Sequence, residues 1–365
     1  MYHFNLCLAL CRRRFCCENS ISGCKSVGRD DLIPPRKKRN VSQRSLLLPG
    51  YETNTSVHIV FCCKREIFVV NYNHKSLRGD CMEKFISFFT TLTLIFNYLF
   101  GLGAVGVSDG WELSSKQKLS PVVSMFSGQG ICCDGEHFYG SGSMTAVNFT
   151  GLARFDLNMK CELKKSGRVP EEFHEKYGSN HIGGIDCANG FIYAPVEGDT
   201  DEGYLYNFIL LYDCETLEYT GTYYDMTGDY LNDGIPWCAV DRENGFLYTS
   251  RFDPVDEILQ YDLETMQFIK AIPLEKQLHR IQGGSVYEGN LYLSFDNKNP
   301  ATEEYIYCVN PEDGSVETVL VRTLPNYDNE AEDICVYPLP DGSLIHTLDY
   351  DKLICANVMH FKKAQ

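Results

Sequence analysis

The chain has 365 residues, 44% of them hydrophobic, and a formal charge of −16. That length allows one large domain or two modest ones with a sizeable core. The charge is divided: residues 1–81 hold 14 Lys+Arg against 6 Asp+Glu, and residues 108–365 hold 18 against 42, a net −24 that argues against nucleic acid and for cations or basic partners.

Residues 1–81 carry eight cysteines and the basic clusters Arg12–Arg14 and Arg36–Arg39, with no sustained period. A basic tail for anionic lipid or nucleic acid is one reading; disorder, or an upstream extension outside the real product, is the plainer one. Residues 82–107 follow. Within them Phe85 to Val107 is an uncharged run of 23 residues, long enough to span a bilayer as a helix. Preceded by Met82-Glu83-Lys84 and ending in Ala104-Val105-Gly106, it also has the three parts of a secretory signal. Left uncleaved, it anchors a single-pass membrane protein through Phe85–Val107. The basic residues Lys64, Arg65, Lys75, Arg78 and Lys84 ahead of it keep the N-terminus inside. If translation starts at Met82 and the signal is cleaved, the product is secreted. Both readings place residues 108–365 outside the cytoplasm.

That third part contains a repeat. Ser127–Tyr139, His181–Tyr193, Asp233–Tyr248, Arg280–Tyr292 and Glu330–Ile345 each read as apolar strand, tight turn and second strand. The turns hold Asp134-Gly135, Asn189-Gly190, Asn244-Gly245, Glu288-Gly289 and Asp341-Gly342, pairs suited to the positive φ of a hairpin. The second strands end at Tyr139, Tyr193, Tyr248, Tyr292 and Ile345, spaced 54, 55, 44 and 53 residues apart. A third and a fourth strand follow in most repeats, so the period fits one propeller blade. The fifth repeat stops after its third strand, Ile354–Phe361. Trp111–Val123 has no other place and is expected to supply the missing strand and close the ring. The fold expected is all-β: a five-bladed β-propeller over residues 108–365, with six blades as the alternative, preceded by one hydrophobic helix.

The stretches Asn189–Tyr193 and Asn244–Tyr248, each followed by a Tyr-Asp strand end and a polar turn, resemble the YVTN/quinoprotein-like β-propeller repeats. The resemblance covers about 255 residues. It implies the architecture and leaves the activity open, because such propellers host many functions.

Inner strands of a propeller line its channel, so equivalent repeat positions form rings. One ring is Ser127, His181, Asp233, Arg280 and Glu330. Gln129, Gln282 and Glu332 stand two residues further on, with Trp237 nearby. Gly130, Gly184, Pro236, Gly283 and Asp333 follow, and the small residues among them suit a crowded axis. His181, Asp233 and Glu330 are the candidate ligands of a divalent cation such as Ca2+, with His181 as ligand or base. Arg280 is placed to grip an anion, or to pair with Asp233 before it and Glu330 after it. Ser127, His181 and Asp233 list the residue types of a nucleophilic triad, but blades hold such positions apart.

The function expected is an extracytoplasmic propeller that binds a small ligand, cation or protein partner at the channel mouth. The alternative is a metal-dependent hydrolase resembling the gluconolactonase-like propellers. Against it, the ring holds an arginine and lacks the Asn ligands that resemblance implies. A cyclotransferase reading rests only on plant-type glutaminyl cyclases also being five-bladed. Asn148, in Asn-Phe-Thr, is a candidate glycosylation site. Nine cysteines lie in residues 108–365; the odd number leaves at least one free or paired between chains. Their spacing shows no CxxC and no zinc pattern.

Overall fold

A computed structural model describes residues 56–63, 66–73, 105–198, 203–297, 303–323, 329–351 and 355–365. The chain divides into two compact units, Met1–Thr90 and Thr91–Gln365. In the first, β1 (Ser56–Cys63) and β2 (Glu66–Asn73) pair antiparallel from Ser56↔Asn73 to Cys63↔Glu66. The rest of the basic region, and the apolar run as far as residue 104, lie outside the described residues. Among the described residues no helix is long and apolar enough to cross a membrane.

The second unit is a five-bladed β-propeller. It opens with β3 (Gly106–Val107) and β4 (Trp111–Lys118), which take their places last. Blade one is β5 (Gly130–Cys133), β6 (Phe138–Met144), β7 (Phe149–Phe155) and β8 (Cys161–Ser166). In blade two, β9 (His181–Ile182) pairs onto β11 (Phe191–Glu197) beside β10 (Asp186–Ala188); β12 (Phe208–Asp213) and β13 (Tyr219–Asp225) lie outside them. Blade three is β14 (Ala239–Asp241), β15 (Phe246–Thr249), β16 (Val255–Asp262) and β17 (Phe268–Leu278). Blade four is β18 (Ile281–Tyr287), β19 (Asn290–Phe295), β20 (Glu303–Val309) and β21 (Val316–Thr323). Blade five has β22 (Asn329–Val336), β23 (Ile345–Asp351) and β24 (Cys355–Lys363), and β4 is its outer strand.

The hairpins follow the turn chemistry unevenly. Asn189 and Gly190 both have positive φ between the paired Ala188 and Phe191, and Glu288 and Gly289 do the same between Tyr287 and Asn290. These are the two-residue turns whose twist matches the strands. At Asp134-Gly135 and Asn244-Gly245 only the glycine has positive φ. There the loops span four residues, Cys133↔Phe138 and Asp241↔Phe246, and an aspartate shapes each. Asp134 Oδ1 accepts from the N–H groups of Glu136 and His137, and Asp241 Oδ1 from those of Glu243 and Asn244.

Closure of the ring follows the expectation. β4 pairs antiparallel with β24 from Asn357↔Lys118 to Lys363↔Trp111. The strand ends at Lys118 rather than Val123. Pro121 cannot donate within a sheet, and Pro121–Ser124 forms one helical turn whose Val123 N–H bonds Ser120 Oγ. One further strand was not expected: Gly106 and Val107 pair with Thr323 and Arg322, adding a fifth strand to blade four. Trp111 is buried against Ile306 and Leu320 of blade four and Met359 and Phe361 of blade five.

The apolar core is five clusters, one per blade interface. Alternation along each strand sends neighbours to opposite interfaces. On β11, Ile192, Ala194 and Val196 pack toward blade one, and Tyr193 packs toward blade three. At the axis the inner strands are tied by polar side chains. Asp333 Oδ2 accepts from Ile131 N–H of blade one (2.9 Å) and Ile185 N–H of blade two (3.0 Å), while its Oδ1 accepts from Ile334 N–H. Asp186 Oδ2 accepts from Val240 N–H of blade three, and Ser285 Oγ of blade four from Val336 N–H of blade five. Gly184 and Gly283 lie against the Asp333 carboxylate, and a Cβ at either would collide with it.

Replacing Asp333 by Ala leaves two buried N–H groups on other blades without an acceptor. Each such loss costs about 1–3 kcal/mol, so Asp333→Ala is expected to lose about 2–6 kcal/mol in urea unfolding. Asp333→Asn, which keeps one carbonyl oxygen, is expected to lose less. A loss under about 1 kcal/mol for Asp333→Ala would show that the axis does not depend on this carboxylate.

Candidate functional site

The inner strands begin at one mouth of the channel, and polar side chains gather there. β9 pairs with β11 so that His181 faces Glu197. His181 Nδ1 stands 3.4 Å from Glu197 Oε1, and its Nε2–H donates to Gln129 Oε1 at 2.5 Å. Gln129 Nε2 donates onward to Glu332 Oε1 (3.0 Å), and Glu197 Oε2 accepts from Ile235 N–H. This arc links blades three, two, one and five. A second group lies on blades four and five: Arg280 grips Asp296 through Nε and Nη2, and Nη2 stands 3.5 Å from Glu330 Oε1. Gln282 Nε2 donates to the same Glu330 oxygen, and Arg280 also covers the ring of Phe252.

The structure thus brings together His181, Gln129, Glu332, Glu330, Gln282 and Arg280. It separates the others. Ser127 is buried and its Oγ donates to Val123 O of the preceding helical turn, so it takes no part in a triad. The blade-one inner strand starts only at Gly130, which leaves Ser127 outside the ring. Trp237 is 0% exposed: it packs between blades three and four with its Nε1–H on Ser250 Oγ, and presents nothing to a ligand. Its indole rests on Gly284, whose missing side chain makes the room. Asp233 accepts from Asp253 N–H, and Arg280 pairs with Asp296 in its place. Among the described residues, His181, Asp233 and Glu330 do not converge as three ligands of one ion. The sequon asparagine, Asn148, is exposed in the β6–β7 loop in a left-handed conformation, and Thr150 Oγ1 accepts from the N–H groups of Arg168 and Val169.

Reading only the first strand of each repeat misses part of the mouth. Glu197, Asp296 and Asp349 all fall four residues after the second-strand anchors Tyr193, Tyr292 and Ile345. The second strand runs back toward the mouth from the turn, so this offset faces the start of the first strand. Applying the repeat period there would have found all three.

Behind Arg280 lies a buried carboxyl cluster between blades four and five. Arg322 and Asp349 are both 0% exposed; Arg322 Nη1 donates to Asp349 Oδ2 (2.5 Å) and Thr347 Oγ1 (2.7 Å). Among the described residues the guanidinium's other edge, Nε and Nη2, has no hydrogen-bond partner, and neither has Asp349 Oδ1 or Ser294 Oγ. Glu304 accepts from Asn297 N–H. Burial pushes the Glu304 carboxyl up to about 8, with Arg322 opposing. Burial likewise raises Glu332 well above the carboxylate range, helped by Glu330, Asp296 and Asp349. Asp233 is raised by burial as well.

No protein-family model matches the chain, and no curated protein matches it.

The raised Glu304 makes stability depend on pH. The folded state holds this proton more tightly than the unfolded chain, whose value is the ordinary 4.5. The contribution is therefore full below pH 4.5 and is lost as pH rises through about 8. Glu304→Gln is expected to flatten the fall in melting temperature over that window and to be the more stable protein at its upper end. Parallel thermal melts across the window check this; an unchanged slope in Glu304→Gln would sink the assignment.

Proposed function

We propose that this propeller is a binding module whose channel mouth takes a cationic group, an ammonium or guanidinium carried by a basic peptide or small molecule. One observation carries the reading. Glu197, Asp296, Glu330 and Glu332 ring the mouth from three blades, with Arg280 the guanidinium set among them. Their oxygens are spread around the opening rather than gathered on one point; among the described residues no three of them sit at the mutual distances of a metal-ion cage. A spread of acceptors suits a larger, multidonor cation better than a compact ion. The net −24 of residues 108–365 supports steering of such a partner.

In this reading Glu330, half-buried beside Arg280, is the point of entry, and Glu332 and Gln129 form the floor. An incoming cation competes with Arg280 for Glu330, leaving Arg280 on Asp296. The propeller works outside the cytoplasm, with the apolar run from Phe85 as its anchor or its cleaved signal, ending before Gly106 and Val107, which belong to blade four, and with Asn148 as a glycan acceptor. The repeat motifs Asn189–Tyr193 and Asn244–Tyr248 support grouping it with the YVTN/quinoprotein-like propellers in architecture.

Titration of the full chain with a short oligolysine peptide and with Ca2+ tests the function. The peptide is expected to bind, to weaken as salt rises, and to lose at least about tenfold in affinity in Glu330→Gln/Glu332→Gln. Glu264→Gln, on an exposed turn, is expected to change nothing. Ca2+ binding that exceeds peptide binding, accompanied by ester or lactone hydrolysis, would overturn the proposal in favour of a metal-dependent enzyme.

A further inference from the structure

The other end of the channel, where the inner strands turn, has different chemistry. A cavity of about 220 Å3 opens there, walled by Asp134, Cys187, Cys214 and Arg242 among others. Arg242 reaches in from the blade-three turn. Its Nε donates to Cys187 O (2.7 Å) and its Nη2 to Cys133 O (3.0 Å), with Nη2 3.4 Å from Cys187 Sγ and 3.7 Å from Asp186 Oδ1. Cys132 Sγ, Cys187 Sγ and a carboxylate oxygen of Asp186 lie within 4.8 Å of one another, and all three residues are buried. Both cysteines are free thiols.

We propose that Cys132, Cys187 and Asp186 form a binding site for a borderline-soft divalent cation, Zn2+, reached through the cavity beside Cys187. Two thiolates and a carboxylate are donors this ion accepts. Tetrahedral ligation with Zn–S near 2.3 Å and Zn–O near 2.0 Å sets sulfurs about 3.8 Å apart and sulfur and oxygen about 3.5 Å apart, so the three groups need close by no more than about 1.3 Å. Each Asp186 oxygen already accepts one backbone N–H, from Cys187 or Val240. A carboxylate oxygen has a second lone pair, and it remains for the metal. The charges balance: two thiolates and a carboxylate, −3, against Zn2+ and the Arg242 guanidinium. On binding, two S–H bonds break and two protons leave to solvent; two metal–sulfur bonds and one metal–oxygen bond form in place of bonds to water, and one water stays as the fourth ligand. Cysteine as a small core residue explains the burial of Cys132 and Cys187 in the blade-one/blade-two cluster. The tie to Val240 N–H accounts for one Asp186 oxygen, but core packing gives no reason for the Arg242 guanidinium 3.4 Å from Cys187 Sγ and 3.7 Å from the same carboxylate.

The test adds Co2+ to the full chain under reducing conditions. One equivalent is expected to produce a sulfur-to-cobalt charge-transfer band, and Zn2+ to abolish it. The band is expected to vanish in Cys187→Ser, to persist in Cys214→Ser on the cavity wall, and to persist in Glu330→Gln, which keeps this site separate from the mouth. Arg242→Gln is expected to weaken binding about tenfold or more. If Cys187→Ser fails to fold by circular dichroism, maleimide labelling of the wild type decides. Zn2+ is expected to slow labelling of Cys187 but not of Cys214, read by peptide mass. No charge-transfer band in the folded wild type, a band that survives in folded Cys187→Ser, or equal labelling of both cysteines with and without Zn2+ would overturn the proposal.

Discussion

A strand at the centre of a propeller has a hydrogen-bonding neighbour on one side only. Its other edge faces the axis, where there is no room for another strand and little for water. The N–H groups on that edge must find acceptors across the gap. In this protein Asp333 meets that demand for blades one and two at once, Asp186 for blade three and Ser285 for blade five. The rest of the ring follows from these contacts. Gly184 and Gly283 are small because the Asp333 carboxylate occupies the space beside them. Desolvation raises Asp333 while the backbone donors pull against it, so the axis is a balance between burial and hydrogen bonding.

Around this centre the five interfaces carry the apolar burial, and the closing blade is built from both ends of the described unit. β4 lies against β24, and Trp111 seats on blades four and five together. β3 extends the neighbouring blade four. Two successive short strands therefore bind the two blades that flank one interface, and Lys363 Nζ lies over the Trp111 ring at 3.9 Å, where the closing strands end. The buried Arg322–Asp349 pair spans the same interface. Removing either partner would strand the other charge, which is far costlier than never having the pair.

The two ends of the channel have opposite chemical character because they draw on different strand positions. The mouth collects the starts of first strands and the ends of second strands, where Glu, Gln, His and Asp stand. The turn end collects the last residues of the first strands, where blade one has Cys132 and Cys133, blade two Cys187 and blade five Cys335. Carboxylates, amides and an imidazole at one end, and thiols beside Asp186 at the other, give the two ends of one scaffold different chemistry.

The five repeats, their spacing near 50, the Gly-bearing hairpin turns and the missing outer strand were all legible in the chain. Each rests on local physics, namely strand alternation, turn φ values and the count of strands per repeat. The ring idea grouped Gln129, His181, Arg280, Gln282, Glu330 and Glu332, which the fold holds as two contact groups, His181–Gln129–Glu332 and Arg280–Glu330–Gln282, because equivalent positions in a closed ring lie near the same mouth. It failed at Ser127 and Trp237. Aligning residues by sequence offset cannot show where a helical turn captures a hydroxyl, or toward which interface an indole points. Of the two cross-blade pairs expected for Arg280, the one with Glu330 is present at 3.5 Å, while Asp296 on its own blade takes the place of Asp233. The thiol–carboxylate group is the clearest case of this limit. Cys132 and Cys187 are 55 residues apart, so no spacing motif links them, and only the packing of blade one against blade two sets them side by side.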